Sequence, residues 1–443
     1  MQEEQLFAKV KTTLIRTVSV PEVSEQSGGC TRHRGRLATG KNIMNYFFIL
    51  GNNPTLSIAE ISAVFGLNKK NNKFKFWLQN NIFIMETNKK IEAPALIKKI
   101  GGTIKIGIID AEINLLNQPK IINGLQQIIN TKDKQGKFKF GISYYGKNEF
   151  NTKKLGMEIK KYLREQNISC RWVTSKEKTL SSVVVEQNKL TDKGIEAVLF
   201  KQDNKIIIGH TLAVQPFKEL SFRDYGRPAR DDLSGMLPPK LAQIMINLSA
   251  VRTRQGAFIL DPFCGSGTIL TEAMLMGYKN LIGSDISEKA ICNTKKNIQW
   301  LKSKYLISDI QYQLFNKSTS ELSNFLKPNY IDAIITEPYL GPQRGKININ
   351  KIIPELEKLY SQALTEFKKI LKPGGKIVMV WPTFRITHNA ERITPEFNDF
   401  KIVNPIPKNL RDNPDIKLSD RDTIIYGRQG QRVWREIVVL EKN

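Results

Sequence analysis

The chain has 443 residues, more than one ordinary hydrophobic core contains, so two or three domains are expected. Its formal net charge of +26 favours a polyanionic partner, although a general lysine bias would also produce it. No apolar run approaches the roughly 18 residues that span a bilayer, and the 4 Cys and 3 His form neither a disulfide framework nor a zinc site. These features exclude a membrane-spanning protein and a metal centre, and they fit a reducing cytoplasm.

Residues 1–43 carry three Arg beside a Gly pair and show little periodicity. They lack the apolar stretch of a secretory signal, and two early Glu disagree with a mitochondrial presequence. We interpret them as a disordered basic tail, or as a mis-assigned start ahead of the true initiator Met44.

Residues 44–110 predict a first α/β unit of the ferredoxin-like order β-α-β-β-α-β. The predicted strands are 46–50, 73–78, 82–85 and 103–109, with helices at 58–65 and 92–100. Residues 111–216 predict a second unit with strands at 137–145, 181–185, 196–200 and 205–214 and a helix at 152–166. The basic face of that helix is either an RNA contact or a solvated surface.

Residues 217–239 are rich in Arg, Asp, Gly and Pro and predict a linker or active-site loop. Its charged side chains either clamp a ligand or form ion pairs between domains. In residues 240–443, strands alternate with helices, which predicts a doubly wound parallel sheet. Residues 423–426 and 433–440 close it as an antiparallel hairpin.

The strongest local motif is Asp-Pro-Phe-Cys-Gly-Ser-Gly-Thr at residues 261–268, between a predicted strand and a helix. Open α/β sheets bind ligands at this edge. A phosphate loop is disfavoured because GxxxxGK[ST] is absent, and Asp261 favours a cation such as the methionine ammonium of S-adenosylmethionine. Asp285 ends the next strand, where a carboxylate accepts hydrogen bonds from ribose hydroxyls. An Asp at a strand end is otherwise often a helix cap, but Ser287 can take that role.

A third motif, Thr-Glu-Pro-Tyr, occupies residues 336–339 at another predicted strand end. It resembles the [DNS]-PP-[YFW] motif of methyltransferases that act on exocyclic amines, although a Pro that simply ends a core strand is the alternative. An aromatic amine is a poor nucleophile, so acceptors at its protons and a stacking ring promote the reaction. Tyr339 is the stacking candidate, and Glu337 or carbonyls near Pro338 are the acceptor candidates.

Together these residues resemble the THUMP-containing tRNA guanosine-N2-methyltransferases that modify guanosine 10. The likeness runs from residue 46 to the end and includes Phe-Gly-Ile-Ser-Tyr-Tyr-Gly at 140–146 and Phe-Arg-Asp-Tyr-Gly-Arg-Pro at 222–228. It implies a class I, Rossmann-like methyltransferase domain after a ferredoxin-like domain and a THUMP-like RNA-binding domain. The implied cofactor residues are Asp261, Pro262, Phe263, Cys264, Gly265, Gly267, Thr268, Asp285 and Ile286, and the implied catalytic residues are Thr336, Glu337, Pro338 and Tyr339.

The resemblance implies methyl transfer from S-adenosylmethionine to the N2 amine of a guanosine in tRNA. Relatives commonly have Asp-Pro-Pro-Tyr where this chain has Thr-Glu-Pro-Tyr. Two alternatives therefore stay open: methylation of rRNA or DNA, and an RNA-binding protein with a decayed catalytic loop. We expect tRNA as the partner, no membrane, and a monomer unless a small activating subunit is required.

Overall fold

The computed structural model describes residues 43–69, 71–114, 118–134, 136–146, 150–230, 236–251, 256–342, 345, 348–385 and 390–443. The predicted N-terminal tail, except for Ile43, lies outside these residues. All described residues belong to one structural unit, Ile43–Asn443.

Two β-sheets organise the described residues, and the first is built from the N-terminal half. Its elements are β1 (Met44–Leu50), α1 (Pro54–Phe65), β2 (Lys75–Gln79), β3 (Ile82–Thr87), α2 (Ala93–Leu96), β4 (Thr103–Asn114), α3 (Gln118–Asn130), β5 (Phe138–Tyr145), α4 (Thr152–Glu165), β6 (Cys170–Val173), α5 (Ser182–Gln187), β7 (Gly194–Gln202), β8 (Lys205–Val214) and α6 (Phe217–Tyr225). The strand order is β2-β3-β1-β4-β8-β7-β5-β6.

The first four strands of this order pair antiparallel throughout, as a β-α-β-β-α-β unit requires. Helix α1 is capped at both ends: the Asn53 side chain accepts from the Leu56 N–H, and Gly66 ends the helix in the left-handed conformation at φ +70°. Strand β4 runs unbroken through the predicted boundary at residue 110 and pairs with β1 and β8. The two predicted N-terminal units therefore share one sheet.

The second sheet is built from the C-terminal half. Its elements are α7 (Pro239–Leu248), β9 (Phe258–Asp261), α8 (Thr268–Met276), β10 (Asn280–Asp285), α9 (Glu288–Tyr305), β11 (Gln311–Asn316), α10 (Leu322–Phe325), β12 (Ile331–Thr336), α11 (Ile349–Ile370), β13 (Leu371–Phe384), β14 (Glu391–Arg392), β15 (Phe400–Ile402), β16 (Ile424–Tyr426) and β17 (Val433–Lys442), with 3-10 turns at Thr319–Glu321 and Lys408–Leu410.

In the described part of this sheet the order is β11-β10-β9-β12-β13-β17-β15, and β11 to β13 pair parallel. Strand β17 joins β13 antiparallel, and β16 pairs with β17 as a hairpin. The predicted doubly wound sheet with a C-terminal antiparallel hairpin is confirmed. Because β9, β10 and β12 are parallel neighbours, their carboxyl ends bring the three predicted motifs to one edge.

Two predicted elements are wrong. The predicted strand 181–185 is helix α5, because the Ser181 hydroxyl caps it by accepting from the Val184 N–H at 3.3 Å. The predicted linker 217–239 begins as helix α6, whose Leu220 and Arg223 are buried against the C-terminal half. The predicted helix 92–100 keeps only one helical turn, Ala93–Leu96.

Six elements were not predicted: α3, β6, β11, α10, β14 and β15. Within the described ranges, no helix is both long and apolar enough to cross a membrane.

Candidate functional site

The glycine-containing loop follows β9 and leads into α8. Gly265 and Gly267 have φ of +53° and +82°, a region that L side chains rarely adopt. A Cβ on Gly265 would meet no atom within 4 Å, so this backbone is open to a ligand. A Cβ on Gly267 would lie 2.8 Å from the Thr294 methyl carbon, so here glycine is needed for packing.

Asp261 ends β9 and is only 2% exposed. Its Oδ1 accepts from the Thr336 hydroxyl at 2.8 Å and from the Phe263 N–H at 3.3 Å. Burial, together with the smaller repulsion from the nearby carboxylates Asp285 and Glu337, raises the pKa of Asp261 to about 7. The charged neighbours that raise this pKa are themselves anions, so the cavity edge has a negative potential.

Asp285 ends β10 beside the same loop. Its two carboxylate oxygens accept from the Gly265 N–H at 3.0 Å and the Ser287 N–H at 2.9 Å. Ser287 in turn caps α9 by accepting from the Ala290 N–H, as predicted. Ile286 is 77% exposed on the rim, so it presents an apolar surface beside the carboxylate.

Helix α9 supports the loop through two side chains that sequence reasoning missed. The Thr294 hydroxyl donates to the Gly265 carbonyl at 2.8 Å. The Asn297 amide donates to the Ser266 carbonyl at 2.8 Å and also binds both backbone groups of Ala229. Both residues are buried. Their positions in a polar amphipathic helix carried no local signal for this contact.

The motif at residues 336–339 follows β12. Thr336 is fully buried with its hydroxyl committed to Asp261, and Pro338 is also buried. The Glu337 carboxylate binds Arg435 of β17 through two hydrogen bonds of 2.5 and 2.9 Å. Tyr339 projects outward with 54% of its surface exposed, while its carbonyl accepts from the Tyr360 hydroxyl. Sequence reasoning missed Arg435, which lies 98 residues away from Glu337 along the chain.

One cavity joins the two motifs. Its walls include Asp261, the loop from Phe263 to Ser266, and Glu337, and also Thr268, Ile269, Met236 and Leu237. The structure thus brings five of the predicted cofactor residues to the same space as the Glu337 carboxylate: Asp261, Phe263, Cys264, Gly265 and Thr268. The other four, Pro262, Gly267, Asp285 and Ile286, are not among the residues that line this cavity. Cys264 also lines it, and burial raises the pKa of the Cys264 thiol well above its ordinary value, so it is a packing residue.

Two arginines of the predicted linker, Arg223 and Arg227, adopt the ion-pair alternative, while Arg230 lies over the Tyr225 ring. Arg223 forms a buried bidentate salt bridge with Glu272 of α8, with hydrogen bonds of 2.7 and 3.1 Å. Arg227 donates to the Thr268 hydroxyl at 2.5 Å and lies 3.5 Å from the Asp224 carboxylate. These contacts attach α6 to the wall of the cavity. Asp231 and Asp232 lie outside the described residues.

Comparison with known families identifies methyltransferases. The chain matches a model described as RMKL-like, methyltransferase domain over residues 227–402, and one described as DNA methylase over residues 41–296. The structure is similar to TrmN from Thermus thermophilus, with a TM-score of 0.50 and 16% identity over 91% of this chain and 100% of that one. This structural likeness shows the fold.

Two relatives are similar in sequence. The tRNA (guanine(10)-N2)-dimethyltransferase of Methanothermobacter thermautotrophicus is 37% identical over 150 residues, which cover 34% of this chain and 40% of that protein. The "Probable tRNA (guanine(10)-N2)-dimethyltransferase" of Methanothermococcus thermolithotrophicus is 38% identical over 121 residues, 26% of this chain and 70% of that protein. The match therefore spans less than half of the first relative and more than two thirds of the second.

Proposed function

The chain belongs to the methyltransferase family of the tRNA (guanine(10)-N2)-dimethyltransferases and of the DNA methylase model, and we propose from this that it methylates the N2 amine of guanosine 10 in tRNA. The observation that carries the proposal is Asp261. It is a buried carboxylate at the carboxyl end of a central parallel strand, it faces a cavity, and its charged neighbours there are Asp285 and Glu337.

The residues of the cavity fit S-adenosylmethionine. A cationic ligand would offset the negative potential that raises the Asp261 pKa. Asp285 retains acceptor capacity for ribose hydroxyls, because each oxygen takes one backbone N–H. The open Gly265 backbone lets the ligand approach, and Ile286 provides an apolar rim for the nucleobase. When bound, S-adenosylmethionine supplies an electrophilic methyl group on a sulfonium.

The chain's own residues then place the amine. Tyr339, exposed beside the cavity, stacks on a flipped guanine. Glu337 or a carbonyl near Pro338 accepts from the amine protons, which keeps the nitrogen lone pair directed at the methyl group. Arg435 donates to both oxygens of the Glu337 carboxylate and so restricts its rotation. Thr336 acts through Asp261 and is a positioning residue.

The N-terminal half holds the tRNA backbone, since the net charge of +26 favours phosphate contacts. The expected working form is a cytoplasmic monomer, or a complex with one small activating subunit.

The decisive test combines binding with nucleoside analysis. Calorimetry should detect S-adenosylmethionine binding to the purified chain. Labelled cofactor should then label tRNA, and mass spectrometry of the digested tRNA should find N2-methylguanosine or N2,N2-dimethylguanosine at position 10. Tyr339→Ala should keep cofactor affinity and lose most tRNA methylation. The control is Tyr225→Ala, which removes another exposed tyrosine, at the end of α6.

The match to the DNA methylase model supports a second candidate, methylation of an amine in DNA. DNA and rRNA should be offered beside tRNA in the same assay. Label in DNA or rRNA alone would replace the tRNA assignment. Cofactor and tRNA binding without any transfer would instead identify an RNA-binding protein whose Thr336–Glu337 motif has lost catalysis.

A further inference from the structure

A second cavity lies between the N-terminal half and the second sheet. This junction cleft, of about 410 Å³, is lined on one side by residues 51–53 before α1 and by Gly101 and Gly102, and on the other by residues 238–241, Tyr426 and Arg428. Ser221 and Asp224 of α6 complete its wall. None of these residues belongs to the motifs at 261–268 or 336–339.

The two sides of the junction cleft are held at a fixed spacing. A Cβ on Gly101 would lie 2.0 Å from the Lys240 carbonyl oxygen, so the first turn of α7 packs directly on this glycine. Across the cleft, Asn53 donates to the Ile425 carbonyl at 3.5 Å, and Thr55 accepts from the Lys417 N–H at 2.8 Å. These contacts between the two sides therefore fix the shape of the cleft.

The charges that line the junction cleft are mainly positive. Lys240 and Arg428 reach it from opposite elements, and among the described residues neither side chain has a hydrogen-bond or ion-pair partner. Partial burial lowers the pKa of Lys240, because no carboxylate offsets the loss of water. Along the described lining the one carboxylate is Asp224, which Arg227 neutralises at 3.5 Å. An anion bound in the cleft would supply the ion-pair partner that Lys240 and Arg428 lack within the described part of the chain.

The junction cleft is continuous with the walls of the cofactor cavity. Leu237 lines the cavity and the next residue, Pro238, lines the cleft. On one wall, Arg227 links Asp224 of the cleft to Thr268 of the cavity. On the other, Tyr426 pairs in register with Arg435, which holds Glu337. A polymer that presents a base to Glu337 and Tyr339 would place its adjacent backbone beside this cleft.

We propose that the junction cleft is a phosphate site, in which Lys240 and Arg428 bind the RNA backbone next to the methylated nucleotide. The RNA identity of the ligand rests on the proposed function. Both cationic side chains are exposed at the mouth, which suits a phosphodiester that continues into solvent on either side. Each contact contributes affinity that decreases with salt, because binding releases counterions from the RNA.

The test is the double variant Lys240→Gln/Arg428→Gln with a tRNA transcript. We expect roughly tenfold weaker RNA binding, and a slope of log affinity against log salt that is smaller by about 2 units. KM for tRNA should rise accordingly while kcat at saturating tRNA and the Kd of S-adenosylmethionine stay within about twofold. Lys240→Arg should retain most of the affinity.

The matched control is Lys304→Gln/Lys327→Gln, which removes the same charge. Lys304 lies in the last turn of α9 and Lys327 precedes β12; both side chains are exposed, and neither lines the junction cleft. An unchanged salt slope in the cleft variant, or an equal loss in the control, would overturn the phosphate site. A Lys240-dependent affinity for inorganic phosphate without any change in RNA binding would overturn the RNA assignment.

The outcomes separate this site from the proposed function. If the wild-type chain binds tRNA in a Lys240- and Arg428-dependent way but transfers no methyl group, the cleft assignment stands and the methyltransferase proposal fails. If it methylates tRNA and the double variant keeps the wild-type KM, the methyltransferase proposal stands and the cleft assignment fails.

Discussion

The junction between the two sheets and the cavity at the end of β9 each bury a carboxylate almost completely. Glu60 in the junction is 0% exposed, Asp261 in the cavity is 2% exposed, and burial raises the pKa of each to about 7. Their surroundings differ. Glu60 accepts from the N–H groups of Gly101 and Gly102 at 2.9 and 2.8 Å and from the Asn247 amide at 2.8 Å.

Asp261 accepts fewer bonds, from Thr336 and Phe263, and it lines open space beside two other carboxylates. Burial and a raised pKa therefore do not by themselves mark a functional acid. Glu60 has its acceptor capacity used by the fold, with partners from both halves of the chain. Asp261 has acceptor capacity directed at a cavity. The comparison predicts that loss of Glu60 damages stability, whereas loss of Asp261 damages binding.

The largest effect is expected for Glu60→Ala. The substitution leaves two buried donors, the N–H groups of Gly101 and Gly102, without an acceptor, removes one of the two acceptors of the Asn247 amide and opens a cavity. The free energy of unfolding should therefore fall by about 4 kcal/mol. Urea unfolding measures this. Glu86→Ala, which removes a surface carboxylate 3.7 Å from Lys75, should change stability by less than about 0.5 kcal/mol. A Glu60→Ala chain with wild-type stability would contradict the structural role of Glu60.

Next in size is the effect of Asp261→Asn on the cofactor. The amide keeps an oxygen for the Thr336 hydroxyl but loses the negative charge, so S-adenosylmethionine affinity should fall about 100-fold, or ~2.7 kcal/mol. Calorimetry gives the Kd of both forms. Glu60→Gln is the control, since it neutralises an equally buried acid and should leave the Kd unchanged. Equal losses in the two variants would contradict a binding role for Asp261 that Glu60 does not share.

The acidic strand ends of the cavity could be predicted from sequence, but their partners could not. Asp261, Asp285 and Glu337 each follow an apolar strand and precede a loop, which is a local pattern. The contacts of Arg435 with Glu337 and of Thr294 with Gly265 depend on how distant elements pack. No spacing along the chain encodes them.

The fold shows the same division between local and long-range information. The alternation of strands and helices after residue 240 has strong periodicity, and the helix predicted to follow the 261–268 motif forms as Thr268–Met276. In contrast, three consecutive valines at 183–185 have high strand propensity, yet the cap at Ser181 and the packing of Val185 make them helical. Likewise the unbroken course of β4 across residue 110 is decided by pairing with β8, which starts more than 90 residues later.

A smaller effect should appear when pH is varied. Asp261 must be ionised to attract a cation, and its pKa in the ligand-free chain is about 7. Affinity for S-adenosylmethionine should therefore be constant well above pH 7 and fall about tenfold per pH unit below it. Stability of the ligand-free chain changes in the opposite sense. Because the folded pKa lies above the unfolded value of 3.8, stability is lost as pH rises from about 4 through 7.

Both pH profiles can be measured with the chain as it is, by calorimetry and by thermal unfolding. In Asp261→Asn the affinity profile should become flat over this range, and the part of the stability profile that belongs to Asp261 should disappear. The contribution of Glu60 should remain, because burial also raises its pKa to about 7 from an ordinary value of 4.5. An affinity that rises on acidification would contradict an ionised Asp261 as the cation partner.

The smallest effect is expected when the hydrogen bond between α9 and the glycine-containing loop after β9 is removed. Thr294→Val keeps the shape of a buried side chain that packs against Gly267 but removes the hydroxyl that donates to the Gly265 carbonyl. We expect about 1 kcal/mol less stability and roughly fivefold weaker S-adenosylmethionine binding. Thr271→Val is the control, because its hydroxyl bonds to the Gly267 carbonyl, which also accepts from the Thr271 N–H. If both variants bind alike, α9 contributes packing to the loop, and the Thr294 hydrogen bond does not position Gly265.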